Sequence, residues 1–571
     1  MKLIIFLCIC ITSQCFGQNP DSLYLNFTKA YDSLNAESIA NLYLENAEVL
    51  NLYDGEKSSS MKGKVEVQKY YKEFFERFKS NDQKLKLTFK IVTREKVGEN
   101  ILDNGFYQLE FITQNMPSFF TFGKFSTVLE FENDIWKFKT DATTNTDFVE
   151  YENSVESKIP ERDEPLFSEF YDNLLGNYIS DDGQLIVIGR SLYRLYAYYE
   201  KTGEYRALNK VNATTWTIGK TIISNEIQQT YKFSSNKIEI YDNDKLVNTA
   251  TKKQLYKSSK VTYANVNGIK IGGTLFVPNQ SNGKAIVLVH GSGPQDRNGY
   301  ASIIRLLADI LSRDGTTVLT YDKQGIGQSE GNWASENFAE LAQDAIAGID
   351  FLKSNKELSL SKIGIGGSSQ AGWIIAKAIE KRQDIDFALT IGAAGSGIPV
   401  VEQNIYNTEV VLKCDGSFSK KQIENIITQQ KYFFYFLSNP KQSDKLDKFT
   451  KSIEKDEKIR DWLFPTSKQM DLNNRNQWFT ALEVNFDPLP VWKKYDNPVL
   501  MIFSEFDDST PASKVKSKVD NLKKKNIRTI ILPNAQHIGL ENDSVCVSNI
   551  GGLSKFQKDF FKEMKIWIKS L

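Results

Sequence analysis

Histidine is the scarcest residue in this sequence: His290 and His537 are the only two in 571 residues. Two cannot furnish a histidine-rich metal site, and no Cys/His cluster has zinc-ligand spacing, so no metal or organic cofactor is expected. Charge of one sign is lacking as well. With 71 basic and 71 acidic residues the formal net charge is zero, which leaves no basic footprint for nucleic acid. Cysteine is sparse, and three of the five, Cys8, Cys10 and Cys15, fall at the N terminus. Cys414 and Cys546 can pair in an oxidising compartment, although sequence alone does not bring them together. Beyond residue 11 no apolar run approaches the roughly 20 residues that cross a bilayer, so no integral membrane segment is expected there.

The N terminus reads as a secretory leader, residues 1–18. Lys2 precedes an apolar Leu3–Ile11, and cleavage is expected near Gly17 or Gln18. Lipidation at Cys15 is the lesser alternative, because Thr12 stands where a lipobox carries leucine. The mature chain is thus expected to be exported, to the periplasm or outside. Its length exceeds what one core supports, so several domains follow.

Residues 19–149 place helices before strands. Leu23, Phe27, Tyr31 and Leu34, continued by Ile39 and Leu42-Tyr43, have helical spacing, and a second helix runs from Val65 to Phe78. Strands follow at 84–93, 104–113, 121–132 and 135–140. This order, with Leu42-Tyr43-Leu44-Glu45-Asn46-Ala47 ahead of Gly63, resembles the NTF2-like (SnoaL-like) α+β cone. The resemblance is one of pattern without a specific motif. It implies a pocket or an association module, and hence a candidate homo-oligomer interface. Residues 150–165, charged and proline-bearing, read as a linker. Residues 166–257 read as short strands between Asp-Gly, Thr-Gly and Ser-Asn turns, a small all-β domain of sandwich or partial-barrel type without chemistry of its own.

Residues 258–571 alternate continuous apolar strands with helices, the pattern of an α/β fold with a mostly parallel sheet. Strands are expected at 261–264, 270–277, 284–290, 317–322, 362–366, 386–392, 498–504 and 528–533. Helices are expected at 301–313, 335–354, 372–382, 511–525 and 552–571. The aromatic-rich interval 398–496 breaks the rhythm and reads as a helical cap.

Between strand 362–366 and the helix after it lies Gly367-Ser368-Ser369-Gln370-Ala371-Gly372. A nucleophile elbow holds its central serine in a strained conformation and needs small residues two positions either side. Centring on Ser368 would put Gln370 at a flank, whereas centring on Ser369 puts Gly367 and Ala371 there. Ser369 is the expected nucleophile. A serine hydroxyl also needs a base and a group that orients the base.

Four motifs in order, His290-Gly291-Ser292-Gly293-Pro294-Gln295-Asp296-Arg297, Tyr321-Asp322-Lys323-Gln324-Gly325-Ile326-Gly327-Gln328-Ser329, the elbow, and an acid and a base after the cap, resemble the α/β-hydrolase fold serine hydrolases. Within that fold they are similar to dienelactone-hydrolase-like and serine-aminopeptidase-like carboxylesterases. The resemblance implies the chain order serine, acid, histidine, which makes His537 the base. His290 then anchors the oxyanion loop. Phe503-Ser504-Glu505-Phe506-Asp507-Asp508-Ser509-Thr510-Pro511 matches the family's acid turn, with Ser504 in place of its glycine. That puts the acid at Asp507, with Asp508 as rival. The oxyanion donors are expected to be the Gln370 amide and the Ser292 amide, with Gly291 the neighbouring alternative and Gly293, Asp296 and Arg297 supporting the loop. The Gly325-Ile326-Gly327 turn lacks the spacing of a dinucleotide loop.

The reading is an exported serine hydrolase acting on a small-molecule carboxylic ester through an acyl-enzyme. A peptidase or amidase on the same residues, or a non-catalytic binding protein with a degenerate hydrolase domain, are the alternatives. The cap aromatics suggest an apolar acyl group, or simply pack on one another.

Overall fold

In the computed structural model the described residues are 20–571 except 53–57, 80–82, 114–118, 134, 147–149, 152–153, 155–168, 192–193, 212–213, 223–226, 477 and 547–552. The expected secretory leader with Cys15, and most of the expected linker, lie outside the described residues. The chain divides into two compact units, Met1–Glu164 and Pro165–Leu571.

The first unit wraps a six-stranded sheet around helices. Strands β1 (Tyr43–Asn51), β2 (Ser59–Lys62), β3 (Gln83–Val97), β4 (Asn100–Thr113), β5 (Phe119–Glu132) and β6 (Ile135–Thr146) run in the order β2-β1-β6-β5-β4-β3. Only the β1–β6 pair is parallel. Helix Asp21–Asp32 buries Leu23, Tyr24, Phe27 and Tyr31, and helix Lys64–Lys79 buries Val67, Tyr71 and Phe75, each at helical spacing. Leu42–Ala47 does not extend the first helical pattern. The helical run ends at Ala40, and Tyr43 opens β1, where it pairs with Phe138 of β6.

The second unit begins with a closed eight-stranded barrel rather than a sandwich: β7 (Gly176–Ser180), β8 (Leu185–Arg190), β9 (Leu195–Tyr199), β10 (Tyr205–Lys210), β11 (Thr215–Ile218), β12 (Gln229–Ser234), β13 (Lys237–Asp242) and β14 (Lys245–Lys253). The two strands sequence reasoning missed, β7 and β14, are the pair that closes it. β7 is short, and β14 (Lys-Leu-Val-Asn-Thr-Ala-Thr-Lys-Lys) lacks an apolar alternation. Alternate residues of β8 and β9 face opposite ways. Ile186, Ile188 and Leu195 fill the barrel with Trp216, while Leu185, Val187, Tyr196 and Tyr198 join a second core with helix Ile303–Arg313 and the C-terminal helix Phe560–Ser570.

The eight strands that follow are β15 (Tyr256–Ala264), β16 (Lys270–Pro278), β17 (Lys284–Val289), β18 (Thr317–Tyr321), β19 (Lys362–Ser368), β20 (Ala388–Ile391), β21 (Val499–Ser504) and β22 (Ile527–Leu532), ordered β15-β16-β18-β17-β19-β20-β21-β22. β15 and β16 are antiparallel, and the strands from β18 to β22 are parallel. The expected helix 511–525 stops at Asp520, where Asn521 caps it and Lys523 takes φ 54°. The last helix starts at Phe560 rather than near 552. Before it, Leu540 and Phe556 form a β-bridge, as do Glu204 of the barrel and Lys555. Helices between Val400 and Lys494 form the cap. Phe433, Phe434, Phe464 and Phe479 stack there with centroids 4.9–5.8 Å apart, so these cap aromatics pack on one another.

Candidate functional site

The site lies at the carboxyl edge of the parallel strands, where loops project beyond the sheet. β19 ends at Ser368, and helix Ala371–Lys381 starts three residues later. Ser369 between them has φ 57°, a conformation β-carbon-bearing residues rarely adopt. A Cβ on Gly367 would sit 2.6 Å from the Ala371 Cβ and 2.3 Å from the Val289 carbonyl, so the turn closes only with small flanks. The Ser369 amide donates to the Ile391 carbonyl at 2.9 Å, tying the turn to the end of β20.

His537 reaches the same point from the loop after β22. Its backbone and ring pack on Gly392, where a Cβ would come within 2.3 Å of the His537 carbonyl and 3.3 Å of Nδ1. His537 Nδ1 lies 3.0 and 2.9 Å from the two carboxylate oxygens of Asp507, at the end of β21. Asp507 is buried, and its Oδ1 also accepts from the Ser509 and Thr510 amides at 2.8 and 2.7 Å. Burial by itself pulls the His537 pKa down. The Asp507 charge and hydrogen bond, with a smaller part from Asp508, outweigh it and hold the imidazolium above the usual 6.5. Among the described residues the rival Asp508 makes no hydrogen bond to the imidazole; it accepts from the Ser509 hydroxyl at 2.9 Å, and burial raises its pKa. Among the described residues the Ser369 hydroxyl has no hydrogen-bond partner.

The loop after β17 faces the elbow. Gly291 sits against Ser369, with an added Cβ 3.4 Å from the Ser369 Cβ. Among the described residues the amides of Ser292 and Gln370 have no acceptor, so both are open to a ligand atom. His290 is fully buried with its ring edge-on to Tyr321 at 4.7 Å. Burial, then the adjoining Lys323 charge, lowers its pKa to about 3 and keeps it neutral.

Asp296 and Arg297 brace this loop, each through a partner other than its neighbour. The Arg297 amide and Nε donate to Asp322 Oδ1 at 2.7 and 3.0 Å, and Asp296 pairs with Arg190 of the barrel at 3.2 Å. The Tyr205 hydroxyl, also from the barrel, donates to the Ala301 carbonyl, where Ala301 and Ser302 both have positive φ. The all-β domain therefore holds the loop from outside the sheet.

Sequence reasoning passed over Lys323. Its ammonium is buried and donates to the carbonyls of Gly291 at 2.6 Å and Gly293 at 2.8 Å, and to Gln370 Oε1 at 3.3 Å. One cation thus ties the loop to the residue after Ser369. Burial pulls its pKa down to about 7. The available signal was a lysine two residues past the buried strand β18, in the second of the four motifs.

The cap's first helix, Val400–Asp415, fastens the acid turn. The side chains of Gln403, Tyr406 and Asn407 donate to the carbonyls of Ser509, Asp507 and Asp508 at 3.0, 2.8 and 3.0 Å. At its C-terminal end Cys414 is disulfide-bonded to Cys546, nine residues beyond His537. A cavity of about 490 Å³ in the cap, bordered by Leu437, Leu472, Phe479 and Phe486, includes none of Ser369, Asp507 and His537.

The strand order, the elbow after β19 and the acid and histidine after β21 and β22 define the α/β-hydrolase fold. Residues 280–544 match the model of a family described as serine aminopeptidase, S33. Over 115 residues, 20% of this chain, the sequence is 29% identical to thiohydrolase aneE of Aspergillus aculeatus, spanning 35% of that protein's length. Among solved structures, the Pyrococcus furiosus esterase Pf2001 is similar over 55% of this chain and 90% of its own, at 15% identity and a TM-score of 0.34. Est1E of Butyrivibrio proteoclasticus with bound ferulic acid is similar over 54% and 97%, at 14% identity and a TM-score of 0.33. Among the described residues no helix is long and apolar enough to cross a membrane.

Proposed function

We propose that this chain is an exported serine hydrolase that cleaves carboxylic esters through an acyl-enzyme. The observation that carries the reading is the buried Asp507–His537 contact at 2.9 Å, at the sheet edge where Ser369 is held at φ 57°. Ser369 Oγ attacks the acyl carbon while His537 Nε2 takes its proton. Asp507 keeps the remaining ring proton on Nδ1 and stabilises the imidazolium. The Gln370 and Ser292 amides receive the developing oxyanion. His537 returns the proton to the leaving alcohol, and a water activated by the same imidazole releases the acid.

The match to a serine aminopeptidase model favours one second reading on the same residues, hydrolysis of an aminoacyl amide. The Cys414–Cys546 disulfide supports an oxidising compartment, hence export. The order of helices and sheet in the first unit supports its reading as an NTF2-like cone.

The test is a burst assay on the mature chain with p-nitrophenyl acetate, butyrate and octanoate, with Ser369→Ala alongside. We expect turnover that the variant loses by about 10⁴-fold or more. Aminoacyl p-nitroanilides cleaved in preference to the esters would select the second reading. Equal silence of both proteins on all substrates would sink the enzymatic reading.

A further inference from the structure

The first unit encloses a cavity of about 290 Å³ with a composition unlike that of a core. Ten of its eighteen lining residues are aromatic, Phe27, Tyr31, Tyr71, Phe89 and Phe125 among them. The exception runs along β6. Asp141, Thr143 and Asn145 occupy successive inward positions, two residues apart, and all three line the cavity. A strand that only closed an aromatic core would carry apolar side chains at those places.

Two of the polar groups at this wall satisfy each other. Asn51 of β1 lies opposite Thr143 in the parallel pair, and the Thr143 hydroxyl donates to Asn51 Oδ1 at 2.9 Å. Asp141 is different. It is 7% exposed, and its one hydrogen bond among the described residues is from the Tyr43 hydroxyl to Oδ2 at 2.6 Å. The Tyr43 bond works against the effect of burial, yet burial prevails and raises the pKa to about 6, so most of the carboxyl is still ionised at neutral pH. A buried carboxylate with one neutral donor and no cation is costly unless something else meets it. A cationic head among aromatic faces meets it twice, by charge and through the π systems.

We propose that this cavity binds a small organic amine with an apolar or aromatic body, its ammonium on Asp141 and its body among the rings. The volume holds about ten waters' worth of liquid at roughly 30 Å³ each, which suits a ligand of about a dozen non-hydrogen atoms. The site stands apart from Ser369, Asp507 and His537 and does not rest on the hydrolase reading.

The test compares three probes of like shape, 2-phenylethylamine, 2-phenylethanol and 3-phenylpropionate, by calorimetry on the full chain. Hydrogen exchange of the same samples locates the binding. We expect the amine to bind about tenfold or more tighter than the alcohol, the carboxylate not to bind, and protection to appear in residues 43–51 and 135–146. Asp141→Asn should erase the preference for amine over alcohol. If that variant fails to fold, the probe series and exchange map on the wild-type chain decide alone. Equal affinity for the three probes, protection confined to other segments, or no binding at about 10 mM amine would each overturn the proposal.

Discussion

At the scale of single residues the site couples two titrating groups with opposite requirements for protonation. In the proposed mechanism His537 acts as a base only when neutral. Asp507 holds its pKa above 6.5, so kcat/KM rises with pH through a midpoint above that value. Lys323 places a positive charge between the Gly291–Gly293 loop and Gln370, the proposed oxyanion surroundings, only while protonated, and burial has brought its pKa down to about 7. Activity is therefore expected to fall again as pH climbs past that region, giving a bell. In Lys323→Met the alkaline limb disappears and kcat drops about 10- to 100-fold with KM little changed, because the loop loses its tie and the transition state its cation. A Lys323→Met variant with an unaltered bell would show that the ammonium only fills space. The elbow was legible at this scale because steric demand leaves few residue choices: Gly367 and Ala371 had to be small, and Gln370 could not be a flank. The carboxylate beside the imidazole was legible only as a choice between Asp507 and Asp508. That choice turns on which carboxylate reaches the imidazole, and the 2.9 Å contact belongs to Asp507. Lys323 was not legible, since its contacts are with carbonyls 30 and 32 residues away.

At the scale of elements, the loops that carry the proposed catalytic groups are held by parts of the chain that carry none of them. Helix Val400–Asp415 bonds the acid turn through three side chains and is linked by Cys414 to Cys546 in the loop beyond His537. The bridge closes a segment with a sequence separation of 132, for which the chain-entropy model gives about 5 kcal/mol as an upper figure. Dithiothreitol is expected to lower both the melting temperature and kcat; the Cys414→Ser/Cys546→Ser chain should melt at the reduced value and no longer respond to the reductant. A reductant effect that persists in the double variant would locate it elsewhere. Arg190 makes the corresponding brace from the barrel. Arg190→Gln leaves Asp296 buried beside a neutral group, and kcat on p-nitrophenyl esters is expected to fall about tenfold without loss of folding. Wild-type kcat in that variant would mean that the ion pair does not position the loop. The parallel strands were readable because their apolar runs are continuous, and β14 was not, because its pairing with β13 and β7 and not its own pattern makes it a strand.

At the scale of the whole chain, the units have separate cores while the barrel and the hydrolase sheet share one. The outward face of the barrel, Leu185, Val187, Tyr196, Tyr198 and Tyr205, sits in a single apolar cluster with Ile304, Leu307, Phe556 and Phe561. Phe556 lies 5.2 Å from the Tyr205 ring and 4.7 Å from Phe561, and its truncation to alanine is expected to cost about 3–5 kcal/mol. Cutting the chain between barrel and sheet would expose that cluster and free Arg190 and Tyr205 from the loop they brace. The apolar cluster of the first unit, by contrast, is built from residues 23–138. Residues 165–571 expressed alone should therefore melt in one transition and keep kcat/KM on p-nitrophenyl esters within about threefold of the full chain, whereas residues 255–571 should be insoluble or inactive. Full activity in the shorter piece would mean the barrel is an ornament to the sheet. Loss of activity in the longer piece would mean that the first unit takes part in ester turnover, which nothing in the geometry at Ser369 requires.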